Sequence, residues 1–207
     1  MNLPRPSKIV CVGRNYLEHA RELGNELPER PLLFLKPSSA LVADGEAIVL
    51  PPESERVEHE GEIAVVIGRT ARKVSAEEAW DCVAGVAPLN DVTARDLQKP
   101  DGQWTRAKGF DTFCPLGAIV PLAEVDRDAL EVVCRVNGEV RQHGRASDMA
   151  FPIPALIAYI SGVMTLEPGD VIATGTPAGV SQLHPGDVVE VEIPGVGTLR
   201  NPVKAAS

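Results

Sequence analysis

Short hydrophobic segments separated by turn-forming residues recur along the sequence. Each is three to seven residues long and is bounded by Gly, Pro or Asp, a pattern typical of strands. The strands predicted on this basis span residues 8–12, 32–35, 48–50, 63–67, 83–88, 118–120, 130–136, 171–173 and 188–193. Many short strands of this kind favour a β-rich architecture over a bundle of helices.

Helical periodicity is weaker and limited to three segments. They are residues 16–23, which end at Gly24, residues 76–80, which start from Ser75, and residues 153–161. In the third segment Pro154 falls in the first turn, where its missing N–H costs nothing. We therefore predict an α+β fold with a few short helices, in one domain covering residues 1–207.

The composition supports a folded domain and excludes some classes of partner. With 207 residues, 44% of them hydrophobic and 24% charged, the chain is close to a globular average. The formal net charge of −9 argues against nucleic-acid binding, because a phosphate-binding surface needs a basic excess. No glycine-rich loop follows a predicted strand, so neither a dinucleotide nor an ATP site is expected.

Apolar segments and cysteines both predict a cytoplasmic protein. The first ten residues, MNLPRPSKIV, lack the apolar core of a signal peptide. The longest apolar stretch, residues 149–164, carries two prolines and is too short for a membrane span, so no membrane association is expected. The cysteines are far apart and flanked by apolar residues, which predicts buried free thiols at Cys11, Cys82, Cys114 and Cys134.

Two glutamates stand at the start of the most apolar predicted strand, in VEHEGEIAVVIG (57–68). Glu60 and Glu62 are two residues apart, so a strand directs both carboxylates to the same side. Like charges this close raise each other's pKa and destabilise the fold unless a positive charge lies between them. The alternative is a strand end with both side chains in solvent.

A third acid, Asp91, follows the next strand in VAGVAPLNDVTARDLQ (83–98). If the two strands are neighbours in one sheet, the three carboxylates converge. Such an oxygen ligand set suits Mg²⁺, Mn²⁺ or Ca²⁺ rather than zinc. Three protein oxygens would also leave coordination positions open for water or a chelating substrate.

Two other segments carry groups that suit an anionic ligand. Lys108, in WTRAKGFDTFCPLG (104–117), would stabilise a developing oxyanion or enolate beside a metal-bound substrate, although a lysine in a loop is usually solvated. In ATGTPAGV (173–180), Gly175 permits close backbone approach and Thr176 offers a hydroxyl and an N–H to an anion. An ordinary tight turn is the alternative for this segment.

The segment GRNYLEHARELG (13–24) places His19 and Glu22 at i and i+3, on one helical face. A carboxylate that orients a histidine makes a general base able to take a proton from water near neutral pH. Such pairs are also common on exposed helices, where they have no such role. Arg14 and Asn15, just upstream, are candidates for holding an anionic substrate.

Taken in order, these segments resemble the fumarylacetoacetate hydrolase family, specifically its short acylpyruvase-like branch. The matching segments are GRNYLEHARELG, LFLKPSSAL, HEGEIAVVIG, NDVTARDLQ, AKGFDTFCPLG, VNGEVRQHG, LIAYIS, LEPGDVIATGTPAGV and PGDVVEVEIPGVGTLRN. They run in the family's order from residue 8 to residue 203. No segment is diagnostic alone, but the ordered set is highly specific.

The resemblance implies a role for each candidate residue. The implied ligands of a metal, usually Mg²⁺ or Mn²⁺, are Glu60, Glu62 and Asp91. Lys108 matches the family's active-site lysine, and Thr176 matches the threonine of its substrate-binding loop. His19 and Glu22 match the pair proposed to activate water, and Gln98 matches a nearby polar contact. The family also implies a β-rich mixed-sheet roll and a homodimer.

The implied activity is hydrolysis of a carbon–carbon bond in a 2,4-dioxo acid, such as an acylpyruvate or fumarylpyruvate, through a pyruvate enolate. Rival reactions at the same site are tautomerisation or decarboxylation of oxaloacetate and isomerisation of a hydroxymuconate-type diacid. A third interpretation is a non-catalytic, metal-stabilised binding protein. The polar segment 18–30, which has few apolar anchors, is predicted to form a mobile lid.

Overall fold

The computed structural model describes residues 5–22, 24 and 28–206. Within these residues the strands are β1 (Ile9–Gly13), β2 (Leu32–Lys36), β3 (Leu41–Val42), β4 (Ile48–Leu50), β5 (Val57–Glu58), β6 (Gly61–Ile67), β7 (Val83–Asn90), β8 (Thr93–Ala94), β9 (Cys114–Pro115), β10 (Val120–Pro121), β11 (Glu131–Val136), β12 (Glu139–Arg145), β13 (Val171–Ala173), β14 (Val188–Ile193) and β15 (Gly197–Ala205). The α-helices are α1 (Leu17–Glu22), α2 (Arg95–Asp101), α3 (Thr105–Gly109) and α4 (Ile153–Val163). The predicted α+β class is confirmed.

Two mixed sheets form most of the structure. The first has the order β10-β7-β6-β13-β1-β2 and the second the order β12-β11-β14-β15-β4. In the first sheet β1 runs parallel to β13, and all the other pairs of neighbouring strands are antiparallel. In the second sheet only the β15–β4 pair is parallel. Two short pairs, β3–β9 and β5–β8, complete the strand pairing of the described residues.

The central strands of the first sheet are buried on both faces, whereas its edge strands β2 and β10 are partly exposed. In β6 every residue is buried, which explains its nearly continuous apolar sequence. Ile63, Val65 and Ile67 face a large core shared with β11, β14 and α4, whereas Ala64 and Val66 face a smaller apolar cluster on the other side. By contrast, β11 and β14 alternate between buried and half-buried residues, as strands with one covered face do.

The smaller cluster marks the face on which the candidate acids lie. Glu62 is two residues before Ala64 on β6, so both side chains point to the same face. On β7, Leu89 belongs to the same cluster and Asp91 follows two residues later. The alternation of the two strands therefore brings these carboxylates to one end of one face.

All nine predicted strands overlap strands of the structure, and the four cysteines are buried and free, as expected. The helix predicted over residues 76–80 is wrong, because the chain forms only a 3₁₀ turn at Ala79–Cys82 before β7 begins. Strand β12 and helix α2 were not predicted, since β12 is mostly exposed and polar and α2 contains Pro100 and no fully buried side chain.

Among the described residues, no helix has both the length and the apolar character needed to cross a membrane.

Candidate metal centre and active site

The three predicted acids converge at one buried point. One side-chain oxygen from each of Glu60, Glu62 and Asp91 lies within 4.8 Å of the other two. The antiparallel register pairs Gly61 with Asn90, and the Asp91 N–H donates to the Glu60 carbonyl oxygen at 2.8 Å. None of the three acids is more than 5% exposed, so the alternative of a solvated strand end does not describe this structure.

Two buried lysines neutralise part of this charge. The Lys108 ammonium donates to Glu60 Oε2 at 2.7 Å and to Asp91 Oδ2 at 2.6 Å. The Lys36 ammonium donates to the other oxygen, Asp91 Oδ1, at 2.6 Å and to the Val92 carbonyl oxygen at 3.1 Å. Lys108 is on α3 and not in a loop as predicted, and its ammonium also lies 4.9 Å from the centre of the Phe34 ring.

Arg95 fixes the outer side of Glu60. Its guanidinium donates to Glu60 Oε1, to Glu58 Oε2 at 2.7 Å and to Gln98 Oε1 at 2.7 Å. Arg95 begins α2 and Gln98 lies one turn later, so the helix presents both side chains to the site. Gln98 is therefore held beside the acids by Arg95.

The two glutamates differ in their electrostatic surroundings. Burial opposes ionisation of Glu60, but the charges of Lys108 and Arg95 outweigh it and hold the pKa of Glu60 well below its usual value. Burial, with Asp91 and Glu60 nearby, raises the pKa of Glu62 well above its usual value. Burial alone would lower the pKa of Lys108, but Asp91 and Glu60 raise it, so the ammonium form is favoured.

The donor set fits a divalent cation. Among the described residues Glu62 forms no ion pair, and the one hydrogen bond that its carboxylate accepts comes from the Gly175 N–H, at 2.8 Å. A buried carboxylate without a cation is costly, and a metal ion would supply the missing positive charge. Glu60, Glu62 and Asp91 offer the hard oxygen ligands that Mg²⁺ and Mn²⁺ prefer.

His19 is oriented by Glu22, as their spacing predicted. The His19 Nδ1 atom lies 3.1 Å from Glu22 Oε2, and the Gly179 N–H also donates to the Glu22 carboxylate. His19 is buried and lines the same cavity as the three acids, whereas the Glu22 side chain is 33% exposed. The predicted lid, 18–30, includes residues 23 and 25–27, which lie outside the described residues.

The loop after β13 needs a glycine at one position. Gly175 has a φ of 105°, which side-chain-bearing residues rarely adopt, and a Cβ there would come 2.7 Å from the Asn15 Cβ. This close approach brings the Gly175 N–H to Glu62 and places Thr176 against the cavity. Gly175 therefore acts on the site through Glu62.

Asn15 is not among the residues that line the cavity. Its amide donates to the carbonyl oxygens of Phe151 and Thr174 and accepts the Phe151 N–H. These three bonds link the segment before α1 to the loop after β13 and to the segment before α4. The structure thus gives Asn15 a structural position outside the cavity wall, and its contact with substrate stays a prediction.

The candidate site opens from a small cavity into a wider vestibule. The cavity holds about 50 Å³, enough for a few water molecules or the polar end of a small ligand. Its wall is formed by Val12, Gly13, Arg14, His19, Phe34, Glu60, Glu62, Asp91, Arg95, Gln98, Trp104, Lys108 and Thr176. The vestibule of about 470 Å³ shares Arg14, Arg95, Gln98 and Trp104 with it and adds Lys99, so its entrance is cationic.

Several site residues were missed by the sequence interpretation. Phe34 and Lys36 are two residues apart on β2, so their side chains point to the same face, on which Phe34 packs against the smaller cluster. The strand period could therefore have placed both of them. Arg95 stands four residues after Asp91, but its role depends on a helix that the sequence pattern does not reveal. Trp104, whose ring lies 5.0 Å from that of Phe34, forms a wall that no local signal indicated.

A comparison with known families decides the identity of the fold. The family described as fumarylacetoacetate (FAA) hydrolase C-terminal matches residues 8–204. The chain belongs to the fumarylacetoacetate hydrolase family. This confirms the resemblance carried by the ordered motifs, and the members of this family described below are enzymes.

Relatives within the family carry different activities. A mitochondrial oxaloacetate tautomerase of Arabidopsis thaliana is 51% identical in an alignment of 178 positions that covers 84% of this chain and 80% of that protein. A 2-hydroxyhepta-2,4-diene-1,7-dioate isomerase structure from Mycobacterium marinum is 49% identical, with a TM-score of 0.90 over 99% of this chain and 77% of the other. The fumarylpyruvate hydrolase structure from Pseudomonas aeruginosa, in complex with Mn²⁺ and pyruvate, is 31% identical, with a TM-score of 0.92 over 97% and 91%.

Proposed function

We propose that this protein is a divalent-metal-dependent enzyme that hydrolyses a carbon–carbon bond in small 2,4-dioxo acids of the acylpyruvate or fumarylpyruvate type. The observation that carries the proposal is that a carboxylate trio, a buried lysine and a carboxylate-oriented histidine all face one cavity. The fumarylpyruvate hydrolase neighbour, with its Mn²⁺ and pyruvate, supports this class of substrate and cofactor.

Glu60, Glu62 and Asp91 would hold Mg²⁺ or Mn²⁺, with Ca²⁺ as a substitute, through their converging oxygens. When bound, the metal supplies Lewis-acid charge that stabilises a developing enolate. Lys108 adds a second positive charge, because its neighbours keep its ammonium protonated beside the same oxygens. Charge that is fixed in place before the reaction stabilises the transition state without a reorganisation cost.

His19 is the group that moves protons. Its Nδ1–H donates to Glu22, which leaves Nε2 as the acceptor for a proton from water. The resulting hydroxide adds to the distal carbonyl carbon, and the bond between that carbon and C3 breaks. A carboxylic acid forms, and the pyruvate enolate takes back one proton at C3, so atoms and protons balance.

Oxaloacetate is the second candidate substrate, supported by the 51% identity to an oxaloacetate tautomerase. In tautomerisation, His19 Nε2 would carry a proton between C3 and the 2-oxo oxygen, and no water would be added. Decarboxylation needs only stabilisation of the enolate beside Lys108. Both reactions use the same residues, so the choice among them depends on which substrate is turned over.

A substrate panel tests the proposal. The protein is supplied with Mn²⁺ and given acetylpyruvate, fumarylpyruvate or oxaloacetate, and pyruvate release, CO₂ release and enol loss are followed separately. We expect one pyruvate per dioxo acid consumed, with EDTA abolishing turnover. Enol loss from oxaloacetate without pyruvate from either dioxo acid would instead favour the second candidate. Metal binding with no turnover of any substrate would favour the binding-protein interpretation.

Two other features remain proposals carried by the sequence. We propose that the protein forms a homodimer, because the family resemblance implies one, and that it is cytoplasmic. The mass of the protein in solution checks the first, and a monomeric mass would contradict it. Subcellular fractionation checks the second.

A further inference from the structure

A chain of hydrogen bonds, buried except at its Ser181 end, runs beside the carboxylate trio and has no part in the mechanism above. His59 Nε2 lies 2.8 Å from Ser181 Oγ, and His59 Nδ1 lies 2.9 Å from Gln142 Oε1. Gln142 Nε2 lies 2.7 Å from Thr176 Oγ1. His59, Gln142 and Thr176 are all buried, with at most 3% exposure, so the two bonds of Gln142 are shielded from water, whereas Ser181 is half-buried.

Two backbone groups fix the orientation of the Gln142 amide. The Gly61 N–H can only donate, and it lies 2.9 Å from Gln142 Oε1. The Pro177 carbonyl oxygen can only accept, and it lies 2.7 Å from Gln142 Nε2. The oxygen and nitrogen of the amide therefore cannot be exchanged without leaving both backbone groups facing a like partner.

This orientation determines the direction of the neighbouring bonds. Because Gln142 Nε2 donates to Thr176 Oγ1, the hydroxyl proton of Thr176 points elsewhere, to the Gly61 carbonyl oxygen at 2.8 Å. On the other side Gln142 Oε1 only accepts, so His59 Nδ1 must carry a proton. In the neutral ring, Nε2 then accepts from the Ser181 hydroxyl.

The hydroxyl of Thr176 is therefore not free to donate to a ligand. Its backbone N–H is different, because it donates to no acceptor among the described residues, although Thr176 is buried and lines the cavity. A buried N–H without a partner is costly, so a ligand or a water molecule at the cavity would supply its acceptor.

We propose that Gln142 and His59 are positioning residues that fix Thr176 so that its backbone N–H, and not its hydroxyl, binds an anionic oxygen of the ligand. The ligand class, a small oxo acid or its enolate, rests on the proposed function. The same amide also ties the start of β6, at Gly61, to the loop that follows β13. Neither residue touches the reacting atoms in this scheme.

The protonation of His59 tests the direction of the bonds without any ligand. In the full-length protein labelled with ¹⁵N-histidine, long-range ¹H–¹⁵N correlation distinguishes a protonated Nδ1 from a protonated Nε2, and a His59→Gln variant assigns the signal. We expect His59 to be the Nδ1–H tautomer at neutral pH. A ring protonated only at Nε2 would overturn the proposal, since Gln142 Oε1 would then face a second acceptor.

Ligand binding tests the positioning role, with oxalate as a mimic of the pyruvate enolate. Calorimetry measures Mn²⁺ affinity first and then oxalate affinity in the presence of saturating Mn²⁺. We expect Gln142→Met to weaken oxalate about tenfold, the scale of a misplaced hydrogen bond, and to leave Mn²⁺ affinity unchanged. Gln182→Met is the matched control, because Gln182 is exposed and its side chain donates, among the described residues, only to the Glu55 carbonyl oxygen.

A double variant separates positioning through Thr176 from general damage to the fold. Thr176→Val keeps the N–H but removes the hydroxyl, so combining it with Gln142→Met should weaken oxalate no further than the weaker-binding single variant. Thr176→Ser, which keeps the hydroxyl that Thr176→Val removes, should bind oxalate about as tightly as the wild-type protein. An additive loss, an unchanged oxalate affinity in Gln142→Met, or a weaker Mn²⁺ affinity in that variant would overturn the proposal. If the wild-type protein with Mn²⁺ bound no oxalate, the proposed function would fail, and the His59 tautomer would still decide the direction of the bonds.

Discussion

Lys108 Nζ lies 2.6 Å from Asp91 Oδ2, in a buried ion pair whose carboxylate is also a candidate metal ligand. The same ammonium is 2.7 Å from Glu60 Oε2, so one lysine contacts two of the three converging acids. This arrangement lets Lys108 compensate the acids when no metal is bound and stabilise negative charge on a substrate when one is. Because of these two roles, removing the lysine should raise the affinity for the metal but lower the rate of turnover.

We expect Lys108→Met to bind Mn²⁺ more tightly and to turn over substrate more slowly. Without the ammonium, Glu60 and Asp91 repel each other more strongly in the metal-free protein, so Mn²⁺ affinity should rise about tenfold. Loss of the charge that stabilises the enolate should lower kcat about 10²–10³-fold. Calorimetry and steady-state kinetics check both effects, and weaker Mn²⁺ binding with unchanged kcat would contradict them.

The pair of His19 and Glu22 predicts a graded loss of hydrolysis. His19→Ala should lower kcat for a dioxo acid about 10²–10⁴-fold, because it removes the general base. Glu22→Gln keeps a hydrogen-bond acceptor for Nδ1–H but removes the charge, so its effect should be smaller.

The chain contains a matched control for this pair. His143 Nε2 lies 3.1 Å from Glu131 Oε2, the same separation as in the His19–Glu22 pair, but its side chain is exposed. His143→Ala should therefore leave kcat unchanged. A His19→Ala variant with the wild-type rate would remove the water-activation role.

The position of Arg14 indicates that the enzyme prefers substrates with two carboxylates. It stands where the cavity joins the cationic vestibule and forms no ion pair with any described residue, so its charge is available to a ligand. Arg14→Gln should lower kcat/KM about tenfold for fumarylpyruvate and less for acetylpyruvate, which has one carboxylate. Arg72→Gln, at an exposed arginine outside the cavity wall, is the control. Equal losses on both substrates would contradict the prediction.

Asp170, which lies outside the candidate metal site, should contribute to the stability of the fold in a pH-dependent way. Burial opposes its ionisation, but hydrogen bonds from the Glu167 N–H and from the side chains of Lys8 and Ser7 hold the pKa of Asp170 below its usual value. A lowered folded-state pKa stabilises the protein above the unfolded-state pKa of about 3.9 and loses that effect as pH falls through the folded value.

Asp170→Asn should therefore lower the free energy of unfolding by about 1–3 kcal/mol at pH 7, and by progressively less below about pH 4. Urea unfolding at several pH values measures the difference. Asp111→Asn, at an exposed residue, is the control and should have little effect. A difference between wild type and Asp170→Asn that stayed constant down to pH 2 would contradict the assignment.

The sequence predicted those parts of the site that depend on local periodicity. Glu60 and Glu62 were placed by the strand period, and Asp91 by the end of the next strand, because neighbouring antiparallel strands bring those ends together. His19 and Glu22 were placed by helical spacing in the same way.

The parts that were missed depend on contacts between distant segments. Lys36 reaches Asp91 across 55 residues, and Gln142 reaches Gly61 across 81, distances over which a single sequence carries no pairing signal. Gln142 is also on β12, an exposed and polar strand whose alternation is not hydrophobic. The structural bonds of Asn15 were also missed, because the chemistry of an amide does not reveal that Phe151 and Thr174 are its partners.

The proposed chemistry depends on Glu60, Glu62 and Asp91 binding one divalent cation. The most direct measurement is diffraction from crystals grown with Mn²⁺, collected at the manganese absorption edge. We expect one anomalous peak within coordination distance of all three carboxylates, and its loss in an Asp91→Asn crystal grown in the same way. Well-ordered wild-type crystals in excess Mn²⁺ with no anomalous peak between these carboxylates would contradict it.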